Sequence, residues 1–218
     1  MTAITQHTPD ALLAAYAAGS LPPVFAMVVA SHISICGECR AALESHHAMG
    51  GAVLDTCAES KLSDGFKSNL MAQLDLPMEQ AISRPAPQPI AKPHSVYPAP
   101  LMELLKNKPP RWRSLGLGMK QAILSADEGG SLRLLHIPAG QAVPDHGHNG
   151  MELTLVLQGS FSDETGRFAR GDLEVADEDL EHTPVADAGD PCICLAATDA
   201  PLRFNSLMPR LFQPIFRI

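Results

Sequence analysis

The sequence predicts a two-domain α + β protein, in which a small amino-terminal bundle of about four helices is linked to a carboxy-terminal antiparallel β domain, a sandwich or barrel. Three observations carry this prediction. Nine of the nineteen prolines lie between Pro77 and Pro110, and so much proline favours extended, polyproline-like backbone over a packed element. Residues 1–76, before this stretch, read as helices with start and stop signals. Residues 111–218, after it, read as short apolar runs separated by Gly, Pro and Asp turns.

In the first part, Thr8 is a candidate N-cap with Pro9 at the first helical position. Ala11 to Ala18 has high helix propensity, and Gly19 supplies a left-handed stop. Ser20 and Pro22-Pro23 start a second helix running through Val24 to about His32, and Cys36 to about Leu54 forms a third. Ser63 caps a fourth, which presents Phe66, Leu70, Met71 and Leu74 on one side. It ends at Leu76, because the residue before Pro77 avoids the α region. A core built from ~70 residues is small, so a metal or a partner protein would help to hold it together. In the second part, strands are expected at Gln121–Leu124, Leu132–Ile137, Leu153–Leu157, Leu173–Ala176 and Cys192–Ala197.

Composition narrows the function classes. The chain is 45% hydrophobic and 18% charged, which excludes a disordered acidic chain and a polytopic membrane protein. The most apolar stretch, Leu21 to Cys36, is interrupted by Pro22-Pro23 and is shorter than the ~20 residues a span needs. No secretory signal pattern opens the chain, so a cytoplasmic location and no membrane contact are expected. The net charge of −8 divides as −4 before the tether, +2 within it and −6 after it. That balance disfavours direct nucleic-acid binding and suits a basic protein partner. Five cysteines, an odd number, point to metal or redox chemistry rather than a disulfide framework.

Two groups of residues have metal-ligand spacing. His32, Cys36 and Cys39 would share one stripe of a helix at i, i+4 and i+7. Zinc held by thiolate and imidazole needs a fourth ligand, for which His7 is the natural candidate and His46 and His47 are rivals. In the β domain, His146, His148 and Glu152 share strand parity and would face one side, with His182 completing the set from another strand. That mixed nitrogen and oxygen set suits Zn, Fe, Mn, Ni or Cu and does not by itself name the metal. Glu181 is a candidate acid/base group or a solvated acid, and Cys192 and Cys194 lie on one strand face as core residues.

Gly140, His146, His148, Glu152 and Gly159, with five, one, three and six residues between them, resemble the first cupin motif in full. Gly171 and His182 match the second in part, with Asp177, Asp179 and Ala186 where that family usually has Pro, Gly and Asn. This implies a jelly-roll barrel. The whole chain further resembles the ChrR family of zinc-binding anti-sigma factors. That resemblance rests on Asp10 to Gly19, Gly140 to Gly159, Glu181 to Val185 and Cys192 to Asn205, together with His7, His32, Cys36 and Cys39. It implies zinc in both sites and a helical domain that binds and inhibits an extracytoplasmic-function sigma factor. It also implies a cupin domain needed for release in response to singlet oxygen, and no enzymatic activity. Leu12, Leu13, Tyr16, Val28 and Val29 are candidates for partner contact. Oxidation of a ligand, of Met or of the Cys192–Cys194 pair, or a protease cutting the released inhibitor, are alternative triggers. The competing reading is a metal-dependent, dioxygenase-like cupin enzyme with a regulatory or dimerising helical domain.

Overall fold

Proline and glycine set the helix ends as their backbone chemistry dictates. In the computed structural model, which describes residues 3–74, 96–201 and 203–204, the helices are α1 (Asp10–Ala17), α2 (Pro23–Ile35), α3 (Gly37–Asp55), α4 (Phe66–Leu74) and α5 (Ala99–Leu104). Pro23 opens α2, and Gly19 ends the first turn-out at φ +68°. Thr8 does not cap α1: Pro9 occupies the cap position without a side-chain hydrogen bond, and Thr8 is buried, with its backbone against Cys39. The expected end of α4 at Leu76 and the tether residues 77–95 lie outside the described residues. Among the described residues no single helix is long and apolar enough to cross a membrane. α2 and α3 reach that length only as a pair, bent by 116° at their junction.

The strands are β1 (Arg113–Gly116), β2 (Met119–Asp127), β3 (Gly130–Ile137), β4 (His146–Gly147), β5 (Glu152–Gln158), β6 (Ser160–Ser162), β7 (Arg167–Ala169), β8 (Leu173–Ala176), β9 (Glu181–His182), β10 (Val185–Ala186), β11 (Cys192–Thr198) and β12 (Arg203–Phe204). All five expected strands are present. Every pairing is antiparallel. The barrel is not one closed ladder, however. A six-stranded sheet in the order β1-β2-β3-β11-β5-β8 is accompanied by two three-stranded sheets, β10-β6-β7 and β12-β4-β9.

Strand parity sorts the large sheet into two faces. Ile137, Val156, Cys192 and Cys194 point inward, where they pack with Phe161 and Phe168. Leu132, Leu134, Leu153, Leu155, Leu195 and Ala197 point the other way and join Val24, Phe25, Val28 and Val29 of α2 in one continuous core. The helical part and the β part therefore share a hydrophobic interior. The last fifteen residues of the proline-rich stretch take part in it: Val96, Tyr97 and Leu105 pack on this core, and Leu101 of α5 is fully buried.

Candidate metal centres and partner-binding face

Cys36 leaves the helical region, at φ −104° and ψ 112°, and this break assembles the first site. The sequence spacing placed His32, Cys36 and Cys39 on a single helical stripe. Instead, His32 closes α2, Cys36 caps α3 by accepting from the Cys39 N–H, and Cys39 lies in the first turn of α3. His7, from the segment before α1, completes the group. The four donor atoms all lie within 4.8 Å of one another. His32 Nε2 is 3.2 Å from Cys39 Sγ, and His7 Nδ1 is 3.3 Å from Cys36 Sγ and 3.7 Å from Cys39 Sγ. The rival His46 is engaged elsewhere, 2.9 Å from Asp10 Oδ1, where it ties α3 to α1.

The donor set fits zinc. Two sulfurs and two imidazole nitrogens form the closed tetrahedral set that structural zinc takes. Burial pulls the His32 imidazole down to about 4, so it is neutral and ready to ligate at neutral pH. Burial pushes the Cys39 thiol up, against the Thr8 backbone N–H that favours its thiolate. A buried thiol pair of this kind is the sort that a cation converts to thiolates. Glu38 accepts from His7 Nε2 at 2.7 Å, which orients the ring so that Nδ1 faces the sulfurs.

The second site forms where β4 pairs with β9. His146 lies directly opposite His182 in that ladder, and His148 follows β4. The three imidazoles place one nitrogen each within 4.8 Å of the others. Hydrogen bonds orient the rings: His146 Nδ1 donates to the Pro144 carbonyl at 2.8 Å, and His182 Nδ1 donates to Asp163 Oδ2 at 2.7 Å. His182 Nε2 thus faces His148 Nε2 at 3.2 Å. Two imidazole nitrogens aimed at each other are satisfied by a shared proton or by a cation, so this arrangement also fits a divalent metal. Burial lowers both His146 and His148 and keeps them neutral.

Glu152 stands apart from the three-histidine group. Its Oε2 is 3.7 Å from His148 Nδ1, on the far side of that ring from His182, and its Oε1 accepts from Thr154 at 2.9 Å. Sequence reasoning missed two acids, Asp163 and Glu174, which converge on His182. Burial drives Glu174 up to about 7. Asp163, although burial opposes it, is held down to about 2 by the Glu174, Thr165 and His182 hydrogen bonds. Burial works against charging His182, but the two carboxylates outweigh it and lift His182 to about 9. An acid at an inward position of the apolar run Leu173–Ala176 was the available signal for Glu174. Glu181 takes no part: it is exposed and pairs with Arg203 at 3.1 Å.

The candidate partner-contact residues are placed differently from the expectation. Val28 and Val29 are fully buried beneath the β sheet, Leu13 is buried, and Leu12 and Tyr16 are half-buried against the same core. An apolar stripe shows that a helix face is covered, but not which body covers it. The exposed apolar surface lies elsewhere. Met49, Val53 and Leu54 near the end of α3, and Phe66, Leu70, Met71 and Leu74 of α4, are 47–71% exposed, and no residue of α4 is buried.

A helical module with a two-histidine, two-cysteine cluster, docked on a cupin-like β domain with a three-histidine cluster, defines a protein with two candidate metal centres rather than a lone cupin. The family model described as "ChrR Cupin-like domain" matches residues 103–200. The protein named anti-sigma-E factor ChrR, from Cereibacter sphaeroides, is 55% identical over 217 residues, covering 99% of each chain. The crystal structure of Rhodobacter sphaeroides SigE in complex with the anti-sigma ChrR superposes with a TM-score of 0.76 at 51% identity, over 90% of this chain and all of that one. The chain belongs to the ChrR family.

Proposed function

We propose that this chain is a cytoplasmic anti-sigma factor that binds an extracytoplasmic-function sigma factor through its helical domain and keeps it from directing transcription. The observation that carries this reading is the exposed apolar face of α3 and α4, in a chain similar along its whole length to an anti-sigma factor that has been crystallised with its sigma factor. Short helices that cannot bury this face at home gain by laying it in a groove of a partner. The reading moves the contact residues from Leu12, Leu13, Tyr16, Val28 and Val29 to Met49, Val53, Leu54, Phe66, Leu70 and Met71. The net charge of −8 suits a basic partner and speeds encounter at low salt.

His7, His32, Cys36 and Cys39 hold zinc in this proposal, and His146, His148 and His182 hold a second metal, zinc first, with Glu152, the carboxylate of the sequence motif, as the fourth ligand. Zinc in the first site supplies cohesion to the segment before α1, the end of α2 and the start of α3, which carry its four ligands. The β domain governs release in response to singlet oxygen or a related oxidant, because loss of a ligand at either site loosens a structure that borrows stability from its metal. The enzyme reading loses the acid/base candidate that the sequence offered, since Glu181 lies at the surface on Arg203. Co-expression of the full chain with its cognate sigma factor tests the proposal. Co-purification as a stable complex is expected, and separation of the two proteins on size-exclusion chromatography would defeat it.

A further inference from the structure

The segment that carries His7 is fastened to the β domain. The backbone N–H groups of Thr5 and Gln6 donate to Asp172 Oδ1 at 2.7 and 2.9 Å, and the Thr5 hydroxyl reaches the same oxygen at 3.3 Å. The Leu173 N–H donates back to the Gln6 carbonyl at 3.1 Å, so the segment adds two-way pairing to the start of β8. Asp172 is 2% exposed, and its other oxygen accepts from the Ala169 N–H at 2.8 Å, which locks the carboxylate in place. Ile4 lies over Gly171, where a Cβ would stand 2.7 Å from its side chain and the backbone has φ +98°. The Gly171 backbone also faces the His32 ring. One turn of the β domain therefore touches the supports of two of the four sulfur and nitrogen donors.

We propose that Asp172 is a positioning residue of the amino-terminal metal site: by holding the Thr5 and Gln6 amides it sets where His7 stands, and so couples metal occupancy in the helical domain to docking of the β domain. The proposal rests on the reading that His7, His32, Cys36 and Cys39 bind metal, and it is independent of sigma binding. Coupling of this kind is reciprocal: what tightens the metal site when the segment is held must tighten the segment when metal is bound. A carboxylate that orients a ligand from outside the first coordination sphere typically carries a 10–100-fold effect on affinity, and an effect of about that size is expected here.

The test uses the full chain titrated with cobalt(II). Thiolate-to-cobalt charge transfer reports only on the cysteine-containing site, because the three-histidine site has no sulfur ligand. Asp172→Ala is expected to weaken the cobalt affinity read from that band by about 10–100-fold. Asp187→Ala, which removes another hydrogen-bonded carboxylate of the β domain, one whose bonds go to Ser160, Ser162 and Arg167 and not to the segment, should leave it unchanged. Equal affinity for Asp172→Ala and wild type, or an equal loss in both variants, would overturn the proposal. Amide exchange in the wild-type chain supplies a second reading that needs no mutation. Stripping the metal should speed exchange at Thr5, Gln6 and Leu173 by about tenfold or more, and unchanged protection at all three would refute the coupling. A chain whose thiolate band never forms refutes the metal reading itself, whereas a normal band insensitive to Asp172 refutes only the coupling.

Discussion

Truncating the exposed face of α4 separates a docking surface from a structural one. Phe66 and Leu70 are 47% and 49% exposed, so about half of each side chain is left for a partner to cover. Full burial of such a side chain contributes about 1.5–3 kcal/mol, so replacing both with Ala removes about 1.5–3 kcal/mol of binding in total. At about 1.4 kcal/mol per tenfold, this is a 10- to 150-fold rise in Kd for the sigma factor. The folded chain should scarcely notice. No residue of α4 is buried, and surface substitutions of this kind shift stability by about 0.5 kcal/mol or less, with the helix propensity of Ala in their favour. Val28→Ala is the converse: at 0% exposure beneath the β sheet it costs about 1–3 kcal/mol of folding stability. Calorimetric titration with the sigma factor and thermal unfolding of the free chain measure both quantities. Wild-type affinity in Phe66→Ala/Leu70→Ala, or a loss of several degrees in its Tm, would refute the reasoning.

Cys36→Ser removes one of two sulfur donors. It is expected to lower bound zinc from two ions per chain to one and to abolish sigma binding, since structural zinc contributes on the order of 10 kcal/mol to small domains of this kind; metal analysis and a pull-down check both. His148→Ala should leave sigma affinity within about threefold of wild type, as that ring packs with His146, Glu152 and His182 of the β domain, yet block induced release. A reporter driven by the target promoter under singlet oxygen reads this out, and normal induction would contradict the assignment of the β domain. Asp187 accepts from Ser160 at 2.6 Å, Ser162 at 2.9 Å and Arg167 at 2.8 Å, and these contacts hold its carboxyl below the usual range although burial opposes them. Its stabilisation is complete above the unfolded-state value of about 4 and fades as pH falls through the lower folded value. Asp187→Ala should therefore cost about 1–2 kcal/mol at pH 7. That gap should close at pH values below the folded-state value, as followed by Tm across pH.

Local chemistry made much of this molecule legible in advance. Pro22-Pro23 and Gly19 bracket helices because their φ preferences permit little else. The short apolar runs Leu132–Ile137 and Cys192–Ala197 mark strands whose two faces are both covered, one in the barrel interior and the other beneath α2. The spacing of His146 and His148 survives in the fold because His146 opens a two-residue strand, paired directly with His182, and His148 follows that strand. What the sequence could not show depends on long-range contacts. Val28 and Val29 form an apolar stripe whichever body covers them, and the β sheet covers them here. The bend at Cys36 arises from three-dimensional convergence on His7, which no periodicity reports. Asp163 and Glu174 read as ordinary acids until the fold brings them to His182. Asp172 follows Gly171 in what reads as a turn, and its role in holding Thr5 and Gln6 spans 167 positions of chain.

Run-off transcription with RNA polymerase carrying the cognate sigma factor tests the central claim most directly. Zinc-loaded full-length chain, added in equal amount, should silence the sigma-dependent promoter, whereas the Phe66→Ala/Leu70→Ala variant should need a 10- to 150-fold higher concentration for the same effect, about the loss worked out above. Transcript levels that stay unchanged on stoichiometric addition of the wild-type chain would contradict the account.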